Sequence, residues 1–351
     1  MRRMKVEWEK RKMVCNNIAE AYGLTPLVRL NRIPEEEGIT SEIYVKVEYF
    51  NPSGSLKDRI LYRIIKEALE SGRLKPGMTI IEATTGNTGI ATAMMGAIFG
   101  YPVKILIPEG MSEERMKIMR MYGAELILTP GAESDVDITL RKLEEIVSQD
   151  PDKYFVVSQY DNPNNPLAHY YTTGPEIWEQ MEGKLDALVQ TQGTGGTVSG
   201  VARYLKEQDP SVKVYTAEPQ EAPFLSKGQW GSHKIEGIGD GFIPPNLDLS
   251  LIDGVILTTS DEAIEMARKL ARLEGILCGI SSGHNVAAAV KLSKRYPEFK
   301  RIVTFINDNG LRYFSTPLFG IEKDVQIPER EHNIRLSDDQ RKYLLNLEII
   351  E

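Results

Sequence analysis

Three turns rich in glycine or hydroxyl residues stand where a strand should end and a helix begin. Residues 190–200 (QTQGTGGTVSG) form the first, residues 82–91 (EATTGNTGIA) the second and residues 51–60 (NPSGSLKDRI) the third. In open α/β sheets, ligands bind at this end of the strands. The three turns therefore predict a binding site, and their residue types indicate its chemistry.

The first turn offers backbone N–H groups and a helix dipole, which suit a phosphate group. Thr194 and Thr197 could add hydroxyl donors. A dinucleotide fingerprint needs Gly or Ala where Val198 stands, and a P-loop needs a Gly-Lys-Ser/Thr sequence that is absent here. A small monophosphate is therefore favoured. The alternative is a glycine turn that only closes a strand–helix junction.

The second turn places Thr84, Thr85, Asn87 and Thr88 between a strand and a helix of small residues. Their N–H and hydroxyl groups could bind a carboxylate. An N-cap and a tight turn explain the same residues almost as well. Asn87 could equally donate its amide to a phenolate or phosphate oxygen, and the sequence does not orient it.

The third turn carries Lys57, which we predict to lie in a turn ahead of a helix. A lysine amine attacks a carbonyl group only when burial or neighbouring positive charge lowers its pKa. A pocket that binds a phosphorylated cofactor could supply this burial. Taken without the other turns, Lys57 would be interpreted as a solvated surface lysine.

Short β-branched runs alternate with helical patterns along the chain. The predicted strands are residues 43–47, 79–81, 103–107, 126–128, 155–157, 188–190, 212–217 and 302–306. The predicted helices are residues 60–70, 90–99, 113–121, 139–148, 199–208, 260–274 and 286–294. This alternation predicts an α/β fold with parallel sheets. Residues 159–165 and 226–246 are rich in turn formers and are predicted to be loops.

Composition excludes several classes of protein. The chain has 351 residues, of which 41% are hydrophobic, and a net charge of −8, so it shows no basic surface for nucleic acid or anionic membrane. Cys15 and Cys278 are too few for a disulfide framework, and no His/Cys cluster indicates a metal site. No segment has the length of a signal peptide core or a membrane span. We expect a cytoplasmic enzyme.

The order of the motifs resembles the fold-type II pyridoxal-phosphate family that contains cysteine synthase and cystathionine β-synthase. The resemblance runs from TPLVRLNRI at residue 25 through NPSGSLKDR, TTGNTGIA, IPEGMSEER, QYDNPNNPLAHYYTTGPEIW, GTGGTVSG, EGIGDGFIPPNLD and GISSGHNVAAA to RYFSTPLF at residue 312. It implies a tryptophan synthase β-like fold with pyridoxal 5'-phosphate in the cleft between two domains, and a homodimer.

The resemblance also implies a division of the chain. We predict a large cofactor domain from residues 1–45 and 161–325, and a small mobile substrate domain from residues 46–160. Rotation of the small domain would close the site. Residues 326–351 would form a charged C-terminal extension, which is interpreted either as a surface segment or as a docking helix.

By resemblance, Lys57 is the Schiff-base lysine and Asn87 contacts the 3′-oxygen of the cofactor. Gly193, Thr194, Gly195, Gly196 and Thr197 would hold the phosphate, and Ser281 would face the pyridine nitrogen. Thr84, Thr85, Thr88 and Gln159 would bind the α-carboxylate of the substrate.

The implied reaction is β-replacement on a serine-type amino acid. Lys57 would remove the α-proton, loss of the β-substituent would give an aminoacrylate, and sulfide or a thiol would add to it. Ser281 is a neutral hydroxyl and does not hold a proton on the pyridine nitrogen as a carboxylate would. O-acetylserine, O-phosphoserine and serine are all possible donors, with cysteine synthesis as the preferred interpretation.

Features of both enzyme types occur within the family pattern. TTGPEIW and GISSG are similar to cysteine synthases, whereas SGSLKDR, NPLAHY and EGILCG are similar to cystathionine β-synthase. Asp240 stands where cysteine synthases have a small residue, and it could activate a hydroxyl or water. That would favour serine as donor or cysteine breakdown with sulfide release, although a solvated loop aspartate fits too. Where cysteine synthases usually have a proline ahead of the closing Gly-x-Arg-Tyr, near the pyridine edge, this chain has Asn307-Asp308-Asn309.

Two further alternatives stay open. A serine or threonine deaminase would share the fold and cofactor but would eliminate without replacement. A binding protein that had lost its chemistry would lack the lysine, and Lys57 is present with its flanking residues.

Overall fold

The computed structural model describes residues 4–322, 328 and 336–351, and its strands form two sheets. The strands are β1 Leu27–Arg29, β2 Glu42–Val47, β3 Thr79–Ala83, β4 Val103–Pro108, β5 Glu125–Thr129, β6 Tyr154–Val156, β7 Ala187–Thr191, β8 Lys213–Pro219, β9 Gly254–Thr258, β10 Arg301–Ile306 and β11 Glu348–Ile350. The larger sheet has the order β1-β2-β10-β7-β8-β9-β11, and the smaller has the order β5-β4-β3-β6.

Helices cover the sheets. They are α1 Arg32–Glu36, α2 Lys57–Glu70, α3 Asn87–Phe99, α4 Glu113–Met121, α5 Val136–Gln149, α6 Asn164–Tyr171, α7 Thr173–Gln180, α8 Gly196–Gln208, α9 Phe224–Lys227, α10 Ser260–Glu274, α11 Ile280–Arg295 and α12 Asp338–Leu344. Within the described residues, none of them is long and apolar enough to cross a membrane.

The larger sheet is parallel except for the antiparallel pair of β1 and β2. Alternate residues of β7 point to opposite faces: Ala187 and Val189 pack in the core beneath α10 and α11, whereas Leu188 packs in the core beneath α7 and α8. Because both faces are covered, the central strands are continuous apolar runs, which is the pattern that predicted a parallel sheet. The α/β prediction is confirmed.

The smaller sheet is parallel throughout and is also covered on both faces. Ile80 of β3 faces the core formed with α2, α3 and α4, whereas Ile81 faces the core formed with α5. All four strands lie within the predicted residues 46–160. The domain bounds and the movement of the small domain stay predictions.

A buried ionic network anchors α2 to the larger sheet. The Arg59 guanidinium donates to Glu48 (Nε to Oε2, 2.7 Å) and to Glu176 (Nη1 to Oε1, 2.7 Å). Lys46 of β2 adds a second cation 2.7 Å from Glu176. Opposite charges hold the pKa of Glu176 at about 2 against the effect of burial. Because each buried charge is paired and hydrogen-bonded, the network holds the first turn of α2 in place.

The three helices that start in the predicted turns, together with α11, all begin earlier than the apolar periodicity indicated. α2 begins at residue 57 rather than 60, α3 at 87 rather than 90, α8 at 196 rather than 199 and α11 at 280 rather than 286. The prediction that Lys57 precedes its helix is therefore wrong, because Lys57 is the first residue of α2. The first turns consist largely of small and polar residues, so they lack the apolar repeat that was used to locate helices.

The described part of the C-terminal segment joins the larger sheet. β11 pairs in parallel with β9, and Ile350 lies in the core. Residues 323–327 and 329–335, including the predicted end of the large domain at residue 325, lie outside the described residues. The short strands β1 and β11 have no alternating pattern of their own, and they form through long-range pairing.

We expect the replacement Ile350→Ala to lower the free energy of unfolding by about 2 to 4 kcal/mol, because it leaves a cavity in the core. The adjacent Ile349 is 41% exposed whereas Ile350 is 5% exposed, so Ile349→Ala is the matched control. The control should cost less than about 0.5 kcal/mol. Urea denaturation of both variants measures the difference. Equal losses would show that β11 is not part of the folded sheet.

Candidate active site

A cleft between the two sheets brings together side chains from both of them. The space between its walls is about 660 Å³, a volume that includes space open to solvent. The sequence-predicted residues that line it are Lys57, Thr84, Thr85, Asn87, Thr88, Gln159, Gly193, Thr194, Gly195, Thr197, Asp240 and Ser281. Gly196 does not line the cleft, but it begins α8 immediately beside it.

Lys57 is placed by contacts to the end of β10. Ser55 pairs with Asp308 in an isolated antiparallel bridge. The Leu56 N–H donates to the Asn307 carbonyl oxygen over 3.0 Å. These backbone contacts connect the segment before α2 to the loop that follows β10. They bring the Lys57 side chain to the wall of the cleft.

The environment of the Lys57 amine lowers its proton affinity. Burial lowers the pKa of Lys57 to about 8, although the negative charges of Asp240, Asp308 and Glu133 oppose this shift. Because a lysine reacts with a carbonyl group as the free amine, the lowered pKa makes this lysine more reactive than a surface lysine.

The glycine turn of residues 193–197, which leads into α8, packs closely against neighbouring residues. Gly195 has φ +78°, and a β-carbon there would lie 2.7 Å from the Leu247 β-carbon. The Asn165 amide donates to the Thr194 hydroxyl over 2.9 Å. The first N–H groups of α8 have no acceptor within the helix, and the Thr194 hydroxyl can still donate, so this part of the cleft lining suits a phosphate group.

The hydroxyl-rich turn lies at the opposite wall, where β3 ends and α3 begins. Thr88 Oγ1 donates to Gln159 Oε1 over 2.5 Å, and Gln159 Nε2 donates to the Ala83 carbonyl oxygen over 2.9 Å. At Gly86 a β-carbon would collide with the Arg115 side chain. The first turn of α3 therefore presents backbone N–H groups to the cleft beside three threonines, which is a geometry suited to a carboxylate.

Asn87 is oriented by its neighbours, which the sequence could not establish. Arg312 Nη1 donates to Asn87 Oδ1 over 2.7 Å, and Asn87 Nδ2 donates to Asp308 Oδ2 over 2.7 Å. Tyr313 donates to the same Asp308 oxygen over 2.6 Å. One hydrogen of the Asn87 amide is thus left for a ligand oxygen in the cleft.

Two buried acids stand near Lys57, and one of them was not recognised in the sequence. Asp240 lines the cleft and accepts a hydrogen bond from Tyr160. Burial and then the charge of Asp240 raise the pKa of Glu133, and burial likewise raises the pKa of Asp240 although Lys57 opposes it. No sequence signal distinguishes Glu133 from a surface glutamate, because its burial depends on the tertiary fold.

The fold is an α/β fold, and its cleft suits a small anionic ligand beside a lysine of lowered pKa. The model of the pyridoxal-phosphate dependent enzyme family matches residues 18–308. The chain belongs to this family.

Similar proteins are cysteine synthases and enzymes of related chemistry. A cysteine synthase of Staphylococcus aureus (strain Mu50) is 44% identical over 308 residues, which cover 88% of this chain and 98% of that protein. A hydrogen sulfide-producing enzyme of Fusobacterium nucleatum is 44% identical with a TM-score of 0.81, covering 86% of this chain and 100% of that one. Cysteine synthase of Entamoeba histolytica is 40% identical with a TM-score of 0.83, covering 95% of each chain.

The residues of the cleft fit pyridoxal phosphate, which is the cofactor of this family. The ligand has an aldehyde, a phenolate oxygen, a ring nitrogen and a phosphate. The cleft has a lysine amine with a lowered pKa, a spare amide hydrogen on Asn87, the hydroxyl of Ser281 and the glycine turn before α8. Each group of the ligand thus has a counterpart of suitable chemistry.

We expect Gly196→Ala to weaken the binding of pyridoxal phosphate by about tenfold or more. A β-carbon at Gly196 would collide with the Asn165 side chain and displace the start of α8, and one lost hydrogen bond to a charged group accounts for about this factor. Gly100→Ala is the control: it strains the backbone at φ +75° but meets no atom within 4 Å and lies outside the cleft lining, so its cofactor affinity should match the wild type. Absorbance titration of the apoprotein measures both affinities. Equal affinities would contradict this placement of the phosphate.

Proposed function

We propose that the protein catalyses β-replacement on a serine-type amino acid, with synthesis of cysteine from O-acetylserine, O-phosphoserine or serine and sulfide as its main reaction. One observation carries the proposal: Lys57, the hydroxyl-rich turn and the glycine turn line a single cleft. The similar cysteine synthases support this choice within the family.

The glycine turn of residues 193–197 would bind the phosphate of the cofactor, Asn87 would donate to its phenolate oxygen and Ser281 would contact its ring nitrogen. Lys57 would hold its aldehyde carbon in the resting enzyme and would be freed when the substrate amine takes its place. When bound, the cofactor supplies an electron sink for the carbon that loses a proton. The chain itself supplies binding, orientation and proton transfer.

The substrate carboxylate binds at the start of α3. Thr84, Thr85 and Thr88 offer hydroxyl groups, and Gln159 retains an amide hydrogen beyond the one given to Ala83. The helix dipole adds to this attraction. Because this wall belongs to the smaller sheet and the phosphate wall belongs to the larger one, a bound amino acid would bridge the two.

Lys57 acts as base and then as acid. Its amine removes the proton from Cα, and the bond from Cβ to the leaving group breaks with its electron pair going to the leaving group. Sulfide then forms the new bond to Cβ, and Lys57 returns the proton to Cα. A pKa of about 8 leaves a sufficient fraction of the amine unprotonated near neutral pH.

Substrate assays separate cysteine synthesis from the alternatives. The reconstituted enzyme is incubated with each donor and sulfide, with serine and homocysteine, and with each donor alone. Cysteine as the principal product supports the proposal, cystathionine would assign a cystathionine β-synthase, and pyruvate with ammonia as the principal products even when sulfide or homocysteine is present would assign a deaminase.

Replacement of Lys57 by alanine should abolish the visible absorption of the bound cofactor and lower kcat by at least about 100-fold. The reason is that the same amine anchors the cofactor and transfers the proton. Lys66→Ala is the control, because Lys66 lies on the same helix with an exposed side chain. Borohydride reduction followed by peptide mapping should place the label on Lys57. A label on another lysine would refute the assignment.

A second candidate function is release of hydrogen sulfide from cysteine. The observation that favours it is Asp240, a buried acid on the cleft wall whose charge acts on Lys57. The Fusobacterium nucleatum enzyme is a hydrogen sulfide producer. In this reaction the Cβ–S bond of cysteine breaks with the sulfur leaving as HS⁻, and ionised Asp240 takes a proton from the water or thiol that adds to Cβ. Protonated Asp240 could likewise assist the loss of the serine hydroxyl.

Asp240→Asn should lower the ratio of sulfide release to cysteine synthesis by at least about tenfold, because an amide cannot accept the proton of the nucleophile. Burial raises the pKa of Asp240, so sulfide release should decline on the acid side at a pH above the usual aspartate range. Asp248→Asn is the control, since Asp248 is exposed and only caps a turn. An unchanged ratio would make Asp240 a structural residue.

We also propose a cytoplasmic homodimer. Cys15 and Cys278 are both unpaired thiols, and Cys15 is exposed, which suits a reducing compartment. Sedimentation of the purified protein tests the dimer.

A further inference from the structure

Glu133 carries a carboxyl group that is buried without a satisfactory hydrogen bond. The residue is 2% exposed, and neither carboxyl oxygen has a hydrogen-bond partner among the described residues. A buried carboxylate that lacks donors is unfavourable, so such a group binds a proton and becomes neutral. The surroundings of Glu133 therefore favour its neutral acid form.

Glu133 lies directly behind the lining of the cleft. It begins the short 3-10 helix Glu133–Asp135, which comes after β5. The donors that act on its carboxyl group are the Gly237 N–H and the Thr85 hydroxyl, and both of these residues line the cleft. Neither contact has the geometry of a full hydrogen bond. Because Glu133 itself does not line the cleft, it can act on a substrate only through a neighbouring residue.

Asp240 is the neighbour through which Glu133 can act. It is 5% exposed, lines the cleft and accepts a hydrogen bond from Tyr160. Burial first and then the charge of Asp240 raise the pKa of Glu133. Two neighbouring buried carboxyl groups cannot easily both ionise, so the pair holds one proton. Since Tyr160 stabilises a charge on Asp240, the resting position of this proton is Glu133.

Other ionisable groups act on this acid pair or on the residues that touch it. They are Lys57, Glu82, Arg115, Tyr160, Glu236 and Asp308. The Arg115 guanidinium is ion-paired with Glu236, whereas the amine of Lys57 acts on Asp240 and opposes the rise of its pKa. The charge state of Lys57 thus influences which member of the pair can give up a proton.

We propose that Glu133 is a positioning residue that holds a proton for Asp240, and that this acid pair adapts the enzyme to serine itself as donor rather than to an O-acyl ester of serine. The inference rests on the proposed function and narrows its substrate class. Hydroxide is a poor leaving group, because water has a pKa of about 15.7, whereas a carboxylate such as acetate leaves without a proton. Only the free hydroxyl therefore needs an acid beside Cβ.

Every proton and electron pair in this reaction is accounted for. Lys57 takes the proton from Cα, and its new charge lowers the proton affinity of Asp240. Asp240, supplied by Glu133, gives a proton to the β-oxygen, and the Cβ–O bond breaks with its electron pair going to the oxygen, so that water leaves. Hydrogen sulfide or a thiol then forms the bond to Cβ and gives its proton to the acid pair. Lys57 returns its proton to Cα.

The test measures kcat/KM of the holoenzyme for serine and for O-acetylserine, each with sulfide, over a range of pH. Both donors need Lys57, so the ratio of the two values cancels the titration of the lysine and reports on the acid. In the wild type the ratio of serine to O-acetylserine should fall as the pH rises through the pKa of the pair, because its proton is then lost. Burial and the charge of Asp240 place this fall above the usual carboxyl range.

Glu133→Gln retains the shape of the side chain but has no proton to give. This variant should lower the ratio near neutral pH by at least about tenfold. The fall of the ratio should also move to lower pH by about one unit or more, because Asp240 without a second carboxyl group binds the proton less tightly. A purely structural role would not produce this shift.

Two further variants test whether the proton of Glu133 is responsible. Glu133→Asp retains an acid and should keep the pH dependence of the wild type. Glu125→Gln is the control, since it removes a carboxylate from β5 whose side chain is exposed and pairs with Lys104. Its ratio should match the wild type at every pH.

The outcomes distinguish this inference from the proposed function. Absence of β-replacement with every donor in the wild-type holoenzyme would refute the proposed function. If the wild type uses O-acetylserine but not serine, or if folded Glu133→Gln keeps the wild-type ratio and pH dependence, the role of Glu133 alone is overturned. The same holds if Glu133→Asp and Glu133→Gln lose the ratio equally. Circular dichroism and thermal unfolding establish that each variant is folded.

Discussion

The site depends on a lysine amine in a partly desolvated cleft. Because desolvation of this amine is unfavourable, other contacts must hold the start of α2 in position. Burial disfavours the charged form of Lys57, and nearby acids limit how far the pKa falls. The backbone on one side of this residue is fixed by the bridge between Ser55 and Asp308, and α2 on the other side is fixed by the buried Arg59 network. Because both sides are anchored, stabilising contacts elsewhere in the fold offset the unfavourable free energy of desolvating the Lys57 amine.

The same architecture explains where anions bind. α2, α3, α8 and α11 all begin at the cleft, and three of them start where a parallel strand or its following loop ends. Each helix start presents unsatisfied N–H groups and a positive dipole end. Two of these starts, on opposite walls, suit a carboxylate and a phosphate, which are the groups that the proposed function places there.

Much of the fold, and the position of the candidate site, could be predicted from the sequence. Strands buried on both faces give continuous apolar runs, and α4 and α10 were predicted with the bounds that the structure shows, because acidic first turns and, for α10, a capping box mark their starts. The helix starts at the site were predicted too late because ligand-facing residues replace the apolar repeat there. The predicted turns nevertheless marked the correct positions, since glycine and hydroxyl residues occur there for chemical reasons.

The parts that sequence reasoning missed are those that depend on contacts between distant segments. Asp240 was visible as a departure from the family pattern, but Glu133 belongs to another segment of the chain, and no local pattern connects the two. The fold brings them together because β5 and the loop of Asp240 lie on opposite sides of the cleft. A buried acid acquires its chemical role from the donors and charges around it. Glu133 lacks donors in good geometry and lies near the charge of Asp240, and both conditions favour its neutral form.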